Sequence, residues 1–220
     1  MTLTLNSHPF ASYCWKALIA LYERDLPFAA KEVGGEDDRA RLAQLWPFGT
    51  MPVLVDDANG VSVAESTIVI EYLDRFGDAA PLIPPEPDAA LHARLWDRAM
   101  DGHVHTPMQK IVHDNLRPEG SGDSYGVEEA KTKLDTVFPI LDARLRDITW
   151  MAGESFSLAD CSAAPALYYA RVVHPWDENR YRDLTNYFDT LVDRPSVARV
   201  IDEARPFRQF LPLPWPEYAE

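Results

Sequence analysis

Three consecutive side chains near the start of the chain, Ser12, Tyr13 and Cys14, put a hydroxyl, a phenol and a thiol on the first turn of a predicted helix. The N-terminal end of a helix carries partial positive charge, so an anion such as a thiolate is favoured beside such a turn. Plainer roles exist too: Ser12 can act as the N-cap, and Cys14 as a small buried hydrophobe. The segment is Pro9-Phe10-Ala11-Ser12-Tyr13-Cys14-Trp15-Lys16, so Cys14 holds the second place of a Cys-x-x-Cys whose first place is Ala11. Two-thiol redox cycling is excluded there.

Two further motifs suit a small peptide. In Gly49-Thr50-Met51-Pro52-Val53-Leu54 a proline opens a strand, where it cannot donate to the ladder. A cis Met51–Pro52 bond would turn the Met51 N–H and C=O outward to pair with an extended ligand; a trans proline would simply start the strand. In Ala64-Glu65-Ser66-Thr67 a hydroxyl stands beside the free N–H groups of a predicted helix start, an anion site suited to a carboxylate. Glu65 can face an ammonium group on the same ligand, or either residue can merely cap the helix.

The histidines fit less well together. His103 and His105 lie in a helical stretch, where two residues apart means about 200° around the axis, so they cannot share a metal. No metal is expected. His105 and Met108, one turn apart, can face a cleft, or can be a polar helix face and a core methionine. Downstream, Ser157-Leu158-Ala159-Asp160 has the spacing of a capping box, with Phe156 placed as a hydrophobic staple. Its role is structural.

The elements that would position these residues fall into two textures. Over residues 1–78 short strands alternate with helices: a strand Leu3–Asn6, a helix from about Ser12 to Arg24, and a parallel strand Phe28–Val33. Pro52–Asp56 and Val61–Ala64 form a hairpin around Asn59-Gly60, which supplies positive φ. A helix from Glu65-Ser66 should bury Ile68, Val69, Ile70, Tyr72 and Leu73. Residues 79–87 read as an extended linker, with four prolines between Ala80 and Pro87. Over 88–220 only helical spacing appears, through Leu91, Leu95, Ala99, Met100, Val104, Met108, Ile111, Val112 and Leu116, then Val137, Leu141 and Leu145, Leu167–Val172 and Phe188–Val192: a helical bundle. The tail from Pro206 to Glu220 is expected to pack as irregular chain.

The 220 residues carry 35 acids against 21 Lys and Arg, a formal net charge of -14. That field opposes nucleic acid and anionic membrane surfaces as partners. No apolar run approaches the roughly 20 residues of a membrane-spanning helix. Met1 leads directly into Leu3-Thr4-Leu5 with no targeting signal, and two isolated cysteines make no disulfide framework, so a cytoplasmic location is expected. Neither a Walker-type nor a dinucleotide-binding glycine loop is present.

Together the motifs resemble those of the cytosolic glutathione transferases. Trp46-Pro47-Phe48-Gly49-Thr50-Met51-Pro52-Val53-Leu54 is similar to that family's Asn-Pro-x-Gly-x-Val-Pro-x-Leu stretch. Glu65-Ser66-Thr67-Ile68-Val69-Ile70-Glu71-Tyr72-Leu73 is similar to its Glu-Ser-x-x-Ile-x-x-Tyr-Leu helix, and Gly153 to Asp160 to its capping box. The resemblance spans about Leu3 to Arg205. It implies an α/β thioredoxin-like N-terminal domain and an all-α helical-bundle C-terminal domain. It implies glutathione as co-substrate, its cysteinyl backbone held at Met51 and Pro52 and its γ-glutamyl end at Glu65 and Ser66. A small electrophile would occupy a pocket that includes His105 and Met108. A homodimer is implied as well. The family's catalytic Ser or Cys slot falls on Ala11, a departure. Ser12 is the favoured donor to the thiolate, with Tyr13 and Cys14 as alternatives. A glutathione-dependent isomerase or reductase, or a non-catalytic binding protein of the same fold, would use the same motifs.

Overall fold

The computed structural model describes residues 3–211, 213, 215 and 216. Strand β1 (Leu3–Ser7) leads through a short loop into helix α1 (Ser12–Glu23), then strand β2 (Phe28–Glu32) returns parallel to β1. Helix α2 (Glu36–Leu45) precedes the hairpin of β3 (Val53–Asp56) and β4 (Val61–Ala64), and helix α3 (Ser66–Leu73) follows. The sheet order is β2-β1-β3-β4, with β3 antiparallel to both neighbours. This is the expected βαβ unit plus hairpin.

Local chemistry explains the joints. Gly60 takes a positive φ of 66° at the hairpin, and the Asp56 carboxylate accepts the Ala58 and Asn59 N–H groups and the Tyr72 hydroxyl. Helix α2 was not anticipated: it buries only Leu42, so its apolar signal is faint. Its first turn holds Glu36, Asp37 and Asp38, which suit the helix dipole, and Asp38 accepts from the Gly34 and Gly35 N–H groups.

From Pro87 onward the described chain is helical: α4 (Pro87–Met100), a five-residue π-helical segment (Asp101–His105), α5 (Thr106–Asn115), α6 (Ser124–Leu145), α7 (Leu158–Val173), α8 (Arg182–Val192) and α9 (Pro195–Ala204). A 3₁₀ turn (Arg205–Phe210) closes it. Pro87 opens α4 rather than ending the linker, because proline suits the first helical turn and Glu86 caps it through the Asp88 and Ala89 N–H groups. Part of the tail lies outside the described residues; Trp215 packs against Phe10 and Tyr169.

Helix α7 is the axle of the helical half, buried at every residue from Leu158 to Arg171. Its capping box is formed: Asp160 accepts from the Ser157 N–H and hydroxyl, and also from the Met151 N–H and Tyr187 hydroxyl. Burial nonetheless pushes the Asp160 carboxyl above its usual range. Two apolar expectations fail. Ile68 is 51% exposed, and Leu91 and Leu95 are 65% and 55% exposed. Helix α4 instead buries Ala90, Ala93, Asp97 and Met100, since small residues let it approach α7 closely.

The two halves meet on a buried charge. Lys16 has no exposed surface, and its ammonium donates to Asp97 (2.8 Å), to both oxygens of Asp101 (2.9 and 3.0 Å) and to the Thr67 hydroxyl (3.2 Å). Thr67 and Ser162 donate to Asp97 in turn, so α1, α3, α4 and α7 share one network. Lys16→Met would remove the buried cation from Asp97 and leave Asp101 with Arg98 alone, and a loss of about 3–5 kcal/mol in urea denaturation is expected. A loss below about 1 kcal/mol would mean that surface charges carry the interface instead. Cys14 and Cys161 are both wholly buried. A thiol reagent should modify neither in the native protein within minutes, and both after denaturation.

Candidate functional site

Where the N-terminal end of α1 faces α5, a cleft of about 490 Å³ opens. Its walls are Phe10, Ala11, Ser12 and Tyr13 from the β1–α1 loop and α1, Gly49, Thr50 and Met51 from the loop before β3, and Met108, Gln109, Val112, His113 and Leu116 along and just past α5. Tyr169, Phe210 and Leu211 close the far side, with the Tyr169 hydroxyl donating to the Phe10 carbonyl (3.1 Å). Among the described residues no lysine or arginine lines it. A larger groove of about 660 Å³ behind the linker holds none of the candidate residues.

Three neighbouring residues take three different fates on α1. Ala11, not Ser12, is the N-cap, and it makes no side-chain cap. Ser12 begins the helix and turns its hydroxyl to His105 Nε2 at 2.7 Å while keeping an edge on the cleft. Tyr13 lines the cleft with its ring stacked flat on His105, 3.9 Å between centroids and 5° between planes. Burial, followed by the charge of Asp101, pushes its phenol up to about 12, so it stays neutral and can donate. Cys14 points into the core, off the cleft, and burial pushes its thiol up to about 12. The helical period separates it from the ligand face, which removes it from the candidates for contact with a bound sulfur.

His105 also departs from expectation. It has no exposed surface and stands behind Ser12 and Tyr13 instead of lining the electrophile pocket. The π-helical segment adds residues to the turn, so Asp101, Val104 and His105 all face inward while His103 is exposed. Burial, then the nearby Lys16 charge, lowers the His105 pKa to about 3, so the ring is neutral in ordinary conditions. Met108 lines the cleft.

The second group of candidate residues flanks the hairpin. The Met51–Pro52 peptide is cis. Val53 pairs with Ala64 at the end of the hairpin, so the chain just before β3 carries Met51 and Pro52 and the chain just after β4 carries Glu65 and Ser66. Glu65 is the N-cap residue of α3, yet its side chain caps nothing; it is exposed, with φ at 65°. A non-glycine residue at positive φ is sparsely populated and costs of order 1–3 kcal/mol, a pattern that clusters at ligand sites. Simple capping is therefore not what Glu65 does. Ser66 is buried at the first turn of α3, where the leading N–H groups have no partner within the helix.

The Ser12–His105 pair was invisible in the chain order, since 93 residues separate the two. Gln109, Val112, Tyr169 and Phe210 were missed as well; the helical repeat of Met108 with Val112 and of His105 with Gln109 was the only local signal.

Comparison with known proteins gives a consistent picture. Residues 5–79 match the family model of the glutathione S-transferase N-terminal domain, and residues 99–195 that of the C-terminal domain. Glutathione S-transferase GstB of Escherichia coli K12 is 27% identical over 192 residues, covering 84% of this chain and 91% of the relative. FtsZ-localized protein A of Caulobacter vibrioides is 26% identical over 218 residues, covering 92% of each. A crystal structure of a glutathione S-transferase from Methylobacillus flagellatus with glutathione bound superposes with a TM-score of 0.81 at 27% identity, covering 90% of this chain and 98% of that one. With both halves of the chain matched and the fold shared throughout, this protein belongs to the cytosolic glutathione S-transferase family.

Proposed function

We propose that this protein is a glutathione transferase that binds glutathione across Met51, Pro52, Glu65 and Ser66 and activates its thiol beside Ser12. The observation that carries this is the convergence of Ser12 and Met51 on one cleft, while β4, paired with β3, leads straight into Glu65 and Ser66 at the start of α3. The Met51 backbone would pair with the cysteinyl residue of the ligand. The open N–H groups of α3 would take the γ-glutamyl carboxylate, and the uncapped Glu65 its ammonium. That geometry aims the ligand sulfur at the start of α1. A thiol of pKa near 9 lowered by two units needs about 2.7 kcal/mol. One hydroxyl donor together with a helix terminus can supply that.

The second substrate follows from the walls. Phe10, Met108, Val112, Leu116, Tyr169 and Phe210 favour an apolar electrophile, and the lack of lining cations disfavours an anionic one. A reductase working through Cys14 is not supported, because that thiol is buried away from the cleft. A cytoplasmic setting and no requirement for a metal belong to this proposal. A non-catalytic binding protein is the second candidate. Ala11 at the family's catalytic slot favours it, as does the similarity to FtsZ-localized protein A.

Binding to immobilised glutathione and conjugation of chlorodinitrobenzene separate these. Ser12→Ala is expected to lower kcat/KM roughly tenfold, the equivalent of about one of those two pKa units, the helix terminus keeping the rest. Tyr13→Phe should lower it far less, and Cys14→Ala should leave it unchanged. Glu65→Gln should weaken glutathione binding about tenfold. Binding without any dependence of rate on Ser12 would favour the non-catalytic alternative.

A homodimer completes the proposal. The exposed Ile68, Leu91 and Leu95 lie on α3 and α4, which the exposed Arg94–Glu71 pair (3.0 and 3.2 Å) bridges. An apolar face of this kind is a natural cover for a second copy. Sedimentation should show a dimer that Leu95→Glu converts to monomer; a wild-type monomer at micromolar concentration would overturn the dimer alone.

A further inference from the structure

The hydrogen bond between Ser12 Oγ and His105 Nε2 has a direction, and that direction decides what Ser12 can offer a ligand. A neutral imidazole carries one N–H. If it sits on Nδ1, then Nε2 accepts the Ser12 proton and Ser12 shows the cleft only lone pairs. If it sits on Nε2, then His105 donates and the Ser12 O–H is released.

The surroundings of the ring settle the choice. His105 Nδ1 is buried without a hydrogen-bond partner. Its nearest carboxylate oxygen, Asp101 Oδ1, is 4.0 Å away, beyond hydrogen-bond reach. Both oxygens of Asp101 are already held by Lys16, and Oδ2 also receives Arg98 at 3.3 Å. The charged and titratable groups around the ring are Tyr13 and Lys16 from α1 and Asp101 at the start of the same π-helical segment, with Asp97 held beyond Lys16. Of these, Lys16 is the charge felt at the ring, and it works against further positive charge. A buried N–H without an acceptor is rarer than an acceptor without a donor. Nδ1 therefore keeps the lone pair, and the proton belongs on Nε2. Gln109 Nε2 supplies a second, longer donor contact to Ser12 Oγ at 3.5 Å. With two donors converging on it, the Ser12 oxygen has its lone pairs occupied and its own proton free.

We propose that His105 is the positioning residue of this site: it donates from Nε2 to Ser12 and so turns the Ser12 O–H outward, toward the glutathione sulfur. This rests on the transferase proposal for its ligand. It differs from that proposal in assigning the sign of the Ser12 effect to a histidine that touches no substrate. Without His105, the Ser12 proton could turn inward, and the lone pairs left facing the sulfur would favour the neutral thiol over the thiolate.

The test has two arms. In the free wild-type protein, long-range proton–nitrogen correlation NMR of labelled histidine reports the tautomer directly; a proton on Nε2 is expected, and a proton on Nδ1 would overturn the proposal. In the second arm, ultraviolet titration of bound glutathione compares His105→Leu with His105→Gln, which keeps an N–H donor. His105→Leu should raise the bound thiol pKa by about one unit and cut the rate at neutral pH about tenfold. Glutathione affinity should be unchanged, and His105→Gln should recover most of the shift. A His105→Leu protein with an unaltered thiol pKa would also overturn the proposal. Failure of wild-type protein to bind glutathione would instead remove the transferase proposal, with the NMR arm still deciding the tautomer. The NMR arm equally decides the matter if His105→Leu does not fold.

Discussion

The contact between Lys16 and the two aspartates sets the geometry of everything around the cleft. Lys16 is one helical turn beyond Ser12 on α1, and Asp101 is one turn before His105. Ser12 and Lys16 share a face of α1, and Asp101 and His105 both turn inward from the two ends of the π-helical segment, so the ion pair and the Ser12–His105 bond are successive rungs between the same two elements. The rung made of charge is wholly buried and fixes how α1 crosses the helical half. The rung made of neutral groups sits at the cleft and inherits that alignment. Thr67 extends the same network to α3, whose first turn carries Ser66. Both ends of the proposed ligand site are thus referred to one ammonium group.

Burying one cation with two carboxylates is expensive unless every lone pair and proton is used. Here the three ammonium protons have Asp97, Asp101 and Thr67, while Asp97 also accepts from Thr67 and Ser162. Burial, more than any neighbour, raises the Asp101 carboxyl, with Lys16 opposing it. That balance matters at His105, where the lysine works with burial to keep the ring neutral. A charged imidazolium behind Ser12 would have only one tautomeric state, with both nitrogens donating. The neutral ring has a choice, and the surroundings make it.

Local chemistry was legible in the chain, and long-range chemistry was not. Asn59-Gly60 announced its hairpin, and Ser157 and Asp160 their capping box, because each depends on residues within a few positions. The amphipathic period of α3 and α4 was also visible, but periodicity does not say which apolar stripe faces inward. Ile68, Leu91 and Leu95 repeat as core residues do, yet the buried stripe of α4 includes Asp97 and alanines. Helix α2 escaped because charge, not apolar spacing, marks its start. His105 escaped for two reasons: its partner is remote in sequence, and the π-helical segment voids the rule of 100° per residue on which its direction was judged.

The departure at position 11 gains a physical meaning from this arrangement. Ala11 is the N-cap, in extended conformation, and a hydroxyl placed there would look into the cleft without help. Moving the hydroxyl one residue into the helix rotates it by about 100° and draws it toward the interior. Ser12 is accordingly almost buried, and a nearly buried hydroxyl needs an interior partner. A partner that accepted its proton would silence it toward a thiolate, whereas one that donates leaves the proton for the ligand. A serine at position 12 can replace one at position 11 only if the group behind it is a donor, and the neutral, Lys16-shadowed His105 meets that condition.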